Sequence, residues 1–167
     1  MKRILAFLMA LLLLSLSLTG CKSSVPEPEI RSGEFNFSVT YRYGGETKTV
    51  SGVFVCEYGG LSWALDGGYG RTWSGYIKGG TADDYVPIDT TENGDEIILV
   101  LNLVPDYFMG DYNLDLYEDV PKPYITIHQH TEDGGLSVIY DENEIEQLCA
   151  AKLISYNYDP PVVNSFN

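Results

Sequence analysis

From residue 34 onward, apolar and polar residues alternate with a period of two. Phe35, Phe37, Val39, Tyr41 and Tyr43 are interleaved with Asn36, Ser38, Thr40 and Arg42, the pattern of a strand with one buried face. Gly44-Gly45 supplies a turn and residues 47–58 return as a second strand, so a hairpin is predicted. In that strand Val50, Phe54, Cys56 and Tyr58 share one face and Val53 and Val55 the other, which predicts cover on both sides. Short segments follow at 61–65, 72–78 and 85–88. Glycine pairs at 59–60, 67–68 and 79–80 separate them as tight turns of a meander. After the Asn93-Gly94 turn, residues 96–103 (EIILVLNL) are the most apolar segment and predict a central strand. Strands at 123–129 and 136–140 flank an Asp133-Gly134-Gly135 turn. The period changes once, at 142–151, where Ile145, Leu148 and Cys149 line one helical face behind an Asp141 N-cap partnered by Glu144. A closing strand at 152–158 ends before Pro160-Pro161.

This order predicts a mainly β fold. The preferred architecture is an antiparallel β-sandwich, immunoglobulin-like in the broad sense, with one short C-terminal helix. The alternative is a lipocalin-like or half-open β-barrel. Eight meandering strands, a helix and a ninth strand resemble the lipocalin element order, although the opening strand lacks that family's Gly-x-Trp. Residues 104–122 read as irregular, with Pro105 and Pro121. Tyr107, Phe108, Met109, Tyr112, Leu114, Leu116 and Tyr117 make this stretch too apolar for a solvated loop. It is expected to fold back and close one end of the core, with a recognition surface as the other reading.

The first residues follow a different rule. Lys2 and Arg3 precede an apolar run to Leu18, which closes on Thr19, Gly20 and Cys21, the charged, apolar and small-residue zones of an export signal. Leu18-Thr19-Gly20-Cys21 resembles the lipobox of bacterial lipoproteins, a likeness confined to the first 21 residues. The resemblance implies removal of residues 1–20, a diacylglyceryl group on Cys21, and a place among the small lipoproteins of bacterial envelopes, lipid-anchored outside the cytoplasmic membrane. The unbroken apolar part, residues 4–14, spans about 16 Å as a helix against the roughly 30 Å of a bilayer core, which disfavours a retained membrane helix. Two acyl chains hold stably where one holds marginally. The chain therefore divides into a signal peptide (1–20), a lipidated cysteine with a flexible tether (21–33), a single β domain (34–158) and a C-terminal tail (159–167). Fully extended, the polar tether with Pro26 and Pro28 reaches about 40 Å.

Charge narrows the partners. The chain carries 24 acidic and 10 basic residues, net −14, and becomes more negative when Lys2 and Arg3 leave with the leader. That sign argues against nucleic acid and against a domain lying flat on an anionic bilayer. The expected partners are membrane lipid, through acylated Cys21, and a glycan or envelope protein beyond it. The expected role is a binding or interaction module, with a carrier of lipid or a small apolar ligand as the alternative if a barrel encloses a cavity. An enzyme comes third. The chain has no Gly-x-Ser-x-Gly elbow, P-loop, Gly-x-Gly-x-x-Gly or Cys-x-x-Cys, so no catalytic residue and no cofactor is expected.

Thirteen tyrosines and two tryptophans are the strongest bias in composition. Trp63, Trp73 and Tyr76 either pack into the core or form an aromatic platform for sugar rings. Cys56 and Cys149 permit one disulfide in an exported protein, against the preferred reading of two separate buried thiols. His128 and His130 would share a strand face about 6–7 Å apart, with Glu132 and Asp133 beside them. Two solvated histidines is the preferred reading, and no metal site is expected. Asp111, Asp115, Glu118 and Asp119 cluster without calcium-loop spacing and read as a solvated acidic loop.

Overall fold

The computed structural model describes residues 25–63, 68–80, 84–112, 120–130 and 136–167. Among these, the strands and helices follow in the order β1 (Ser32–Tyr43), β2 (Glu46–Trp63), β3 (Tyr69–Ile77), β4 (Tyr85–Thr90), β5 (Glu96–Val100), α1 (Pro105–Phe108), β6 (Tyr124–His130), β7 (Leu136–Ile139), α2 (Glu142–Cys149) and β8 (Lys152–Tyr158). They build two four-stranded sheets, β3-β2-β1-β8 and β4-β5-β6-β7, and every pairing is antiparallel. The sheets pack face to face as a β-sandwich. In the first sheet β8 returns beside β1, a Greek-key order whose long connection carries the whole second sheet.

Alternation in β1 sets the inner face of the first sheet. Phe35, Phe37, Val39 and Tyr41 are all buried, with Phe54 and Cys56 of β2 beside them. Ile97, Leu99, Leu101, Ile125 and Ile127 complete the core from the second sheet. Ile98 and Val100 are buried on the opposite face of β5, so this interior strand reads as one continuous apolar run. Tyr158 ties the two sheets together by donating its hydroxyl to the Leu101 carbonyl.

Both helices serve the core. Pro105 opens α1 with the backbone angle a first turn needs, and the helix drives Phe108 between the sheets, its ring 4.9 Å from Phe35 and 5.5 Å from Phe54. The described part of the 104–122 stretch thus folds back onto the core. At α2 the Asp141 carboxylate accepts from the Asn143 and Glu144 amides at 3.0 and 2.8 Å, and Ile145 is buried. The N-cap, the helix and the final strand lie where the periodicity places them, with the helix ending at Cys149.

Three expectations change. The lipocalin-like barrel does not close, because α2 carries the chain away from β7 and delivers β8 to the edge of β1. Gly59-Gly60 is not a turn. β2 runs through it as a bulge, with Gly60 at φ 96°, so residues 61–63 continue the strand expected at 47–58. Residues 25–33, expected as part of a flexible tether, are held instead. Pro26 and Pro28 remove alternate backbone donors, and the Glu27 and Glu29 amides that follow them donate to the Asn167 and Ser165 carbonyls at 2.9 Å. The Asn167 amide returns a bond to the Glu27 carbonyl at 3.0 Å, and Pro28 bridges Phe166. The two chain segments expected to be loose clasp one another.

Candidate functional site

The register of the second sheet builds a row of tyrosines on its outer face. Tyr85 of β4 pairs with Val100 of β5, and Val100 pairs with Tyr124 of β6, so the three residues share a face across three strands. Val86, Ile88, Ile125 and Ile127 alternate with them into the core. Tyr140, just past β7, brings its ring 6.0 Å from that of Tyr124. Tyr85 is 52% and Tyr140 61% exposed, whereas Tyr124 is half-buried between them. Burial, then the neighbouring Tyr140, Tyr85 and Asp84, push the Tyr124 hydroxyl above its ordinary pKa, so it remains a neutral hydrogen-bond donor at physiological pH. Flat rings with polar tips on a rigid sheet can stack on a planar apolar face while hydrogen-bonding its rim.

The predicted platform of Trp63, Trp73 and Tyr76 is not assembled. Tyr76 pairs with Val55 on the outer face of the first sheet, while Trp73 pairs with Tyr58 and packs against the core. The Gly59-Gly60 bulge returns Leu61 and Trp63 to the Trp73 face by adding one residue to β2. Trp63 and its partner Tyr69 stand 64% and 53% exposed, edge to face at 5.3 Å. Trp73 and Tyr76 stand three residues apart on β3, so alternation alone turns them to opposite faces, and the bulge in β2 decides only the face of Trp63.

Trp73 has a structural partner instead. Its indole Nε1 donates to Asp111 Oδ2 at 2.8 Å. Arg71 grips the same carboxylate with Nε at 2.8 Å and Nη2 at 2.5 Å, and its Nη1 donates to the Pro26 carbonyl at 3.1 Å. The Phe166 ring covers the guanidinium at 4.1 Å. Asp111 is therefore the hub of a clamp joining β3, the end of α1, the N-terminal segment and the C-terminal tail. It is not a member of a solvated acidic loop. Its companions Asp115, Glu118 and Asp119 lie outside the described residues, as do Cys21 with its lipobox, Glu132 and Asp133.

At the opposite end of the sandwich, Tyr43 donates to Asp89 at 2.6 Å, which pushes the tyrosine up to about 12, and Glu146 binds Arg42 and Lys152 at 3.2 and 2.6 Å. A cleft of about 310 Å³ opens there between Thr91, Glu92, Asn93, Asp95, Gln129 and Leu148. His128 lies on the outer face of β6 paired with Glu96 and Val138, and His130 ends that strand. Among the described residues, no group of three or more His, Cys, Asp or Glu side chains is placed to hold a metal ion.

Cys56 and Cys149 are both free thiols, so the one disulfide they could form is not made. Cys56 lies in the inner face of β2, and Cys149 ends α2 with its Sγ donating to the Ile145 carbonyl at 3.2 Å. Burial pushes the Cys56 thiol up to about 12, which leaves essentially no thiolate at neutral pH. Iodoacetamide on the native protein is expected to spare Cys56 and to label it once urea unfolds the chain. Native labelling of Cys56, read by peptide mass, would contradict its position in the core.

No family model, curated protein or solved structure matches this chain.

Proposed function

We propose that this protein is a lipid-anchored binding module of the bacterial envelope, tethered through acylated Cys21 and engaging a glycan chain with the tyrosine row. The observation that carries the glycan reading is Tyr85, Tyr124 and Tyr140 on one face of a rigid sheet, with the outer two rings exposed. A sugar ring has an apolar face and a hydroxyl rim, and the row offers ring faces and phenolic hydroxyls in matching order. The anchor reading rests on the lipobox and on the clamp, which fixes the chain leading back to Cys21 at one end of the domain. The carrier alternative depended on a barrel cavity. Phe35, Phe37, Phe54 and Phe108 instead fill the space between the sheets, and that reading loses its architecture.

Retention on isolated cell-wall glycan tests the first half. Aromatic stacking contributes about 1 kcal/mol per ring, so Tyr85→Ala with Tyr140→Ala is expected to weaken retention at least about tenfold. Both side chains are exposed, so the fold should survive, and unchanged retention would rule the tyrosine row out. Metabolic labelling with an alkynyl fatty acid tests the second half. Label on the wild-type protein that disappears in Cys21→Ala is expected, and an unlabelled wild-type protein would end the anchor reading.

A further inference from the structure

We propose that the free edge of β8 pairs with β8 of a second copy of this chain, joining the four-stranded first sheets of two molecules into one continuous sheet. This rests on neither the anchor nor the glycan reading and adds a self-association surface to the fold.

The backbone of the strand shows which groups are open. β8 closes one side of its sheet and pairs only with β1 among the described residues. The Asp159 amide donates to the Asn36 carbonyl, and bonded positions in an antiparallel ladder recur at every second residue. Asn157 and Ser155 therefore turn their backbone groups to β1. Tyr156 and Tyr158 turn theirs outward, where no backbone bond meets them among the described residues. The other edges are less open, since β4 carries Pro87, β7 is four residues long and β3 is half-buried along most of its length. β8 has no proline, and Ile154, Ser155, Tyr156 and Asn157 are exposed in succession. α2 packs against the start of the strand, at Ala151, Lys152 and Leu153, and leaves that run uncovered.

Self-complementarity points to a second copy. With a two-fold axis at Asn157, Tyr156 of each molecule lies opposite Tyr158 of the other, and each such pair exchanges two N–H···O bonds. The side chains agree with that register. Tyr156 and Tyr158 share the Phe37 and Val39 face, Tyr156 is 47% exposed, and the two rings lie 5.3 Å apart. The axis therefore gathers the tyrosine rings of both copies on one side of the joined sheet, as cross-strand aromatic pairs. Charge selects the same edge. A net charge of −14 makes two copies repel over most of their surface. On the outer side of β8, β1 and β2, however, Ser155, Asn157, Ser38, Thr40, Thr49 and Ser51 are all uncharged. Arg42 and Lys152 beside them are held by Glu146. A copy of this acidic chain meets least repulsion there.

The test uses the full-length chain in density-matched detergent. Sedimentation equilibrium is expected to show a dimer. Tyr156→Pro is expected to raise its dissociation constant at least about tenfold, because each copy loses a donor across the axis. That amide does not serve the β1 ladder, so the circular dichroism of Tyr156→Pro should match the wild type. Tyr156→Glu keeps every backbone group and sets a charge among the gathered rings, so it checks the same loss if the proline variant misfolds. At the axis, facing Asn157 Cα atoms lie about 4.5 Å apart, within disulfide reach. Asn157→Cys is therefore expected to give a symmetric 157–157 link under mild oxidation, read by peptide mass. Either a monomeric wild type or the absence of that link would overturn the self-pairing and leave the edge to a strand of another protein. A dimer unchanged in Tyr156→Pro and Tyr156→Glu would overturn it by placing the contact elsewhere.

Discussion

Phe108→Ala is expected to cost about 4 kcal/mol of folding stability, the largest effect of any single substitution considered for this protein. Phe108 is fully buried, and its ring meets Phe35, Phe54, Tyr107 and Tyr158 at centroid distances of 4.9, 5.5, 5.4 and 6.0 Å. Removing it takes away both the transfer free energy of the ring and the contacts of its neighbours. The surrounding walls are strands held by antiparallel ladders, which cannot collapse inward without breaking hydrogen bonds. The cavity therefore persists and the cost lies near the upper part of the usual range. Phe108→Leu, which keeps most of the apolar volume, should cost about 1–2 kcal/mol. Urea unfolding midpoints for the two variants check this, and a loss below about 1 kcal/mol for the alanine variant would mean that α1 does not wedge the sheets apart as described.

The second large effect is expected at Asp111. Its side chain is 10% exposed and accepts three charge-assisted or indole hydrogen bonds, two from Arg71 and one from Trp73. Asp111→Ala leaves the 20%-exposed Arg71 guanidinium and the Trp73 indole without their acceptor, at a cost of about 3 kcal/mol. The Pro26 carbonyl and the Phe166 ring still hold Arg71, which keeps the loss at the lower end for a broken buried pair. The clasp between residues 27–29 and 165–167 should also loosen, with faster hydrogen exchange at the Glu27 and Glu29 amides than at the β1–β2 ladder. Burial works against the Asp111 charge, but the bonds from Arg71 and Trp73 outweigh it, so the carboxyl titrates below its ordinary range. A group whose folded pKa is depressed contributes fully above the unfolded value, about 4, and loses that contribution as pH falls through the folded value. The stability gap between wild type and Asp111→Ala is therefore expected to be constant near neutrality and to narrow as pH drops below about 4. A gap independent of pH would show that the carboxylate's charge does not hold the clamp.

Much of the fold is legible in local pattern. The strict alternation of β1, the Gly44-Gly45 turn, the continuous apolar run of β5 and the capped α2 each carry a periodicity that only one element satisfies. The site is legible to a lesser degree. YVPID and YITIH alternate in a way that turns Tyr85 and Tyr124 outward, but these segments are far apart in the chain and only the register of β5 between them makes a row. Trp73 was a fair candidate for a platform by composition, yet its indole is committed to Asp111, a residue 38 positions away.

By itself, the sequence determines the acidic balance, the antiparallel β class and the placement of α2, and it carries the Leu18–Cys21 pattern on which the anchor proposal rests, because each depends on composition or on residues close together in the chain. Tertiary structure alone decided the rest. The sandwich stays open because α2 hands β8 to the edge of β1, and a one-residue bulge at Gly59-Gly60 puts Trp63 on the Trp73 face. The clasp between residues 27–29 and 165–167 depends on the Glu27 and Glu29 donors that alternate with Pro26 and Pro28 and on a tail more than a hundred residues distant. Long-range pairing of this kind has no local period to announce it, since its free energy depends on geometry that exists only after the sheets have packed.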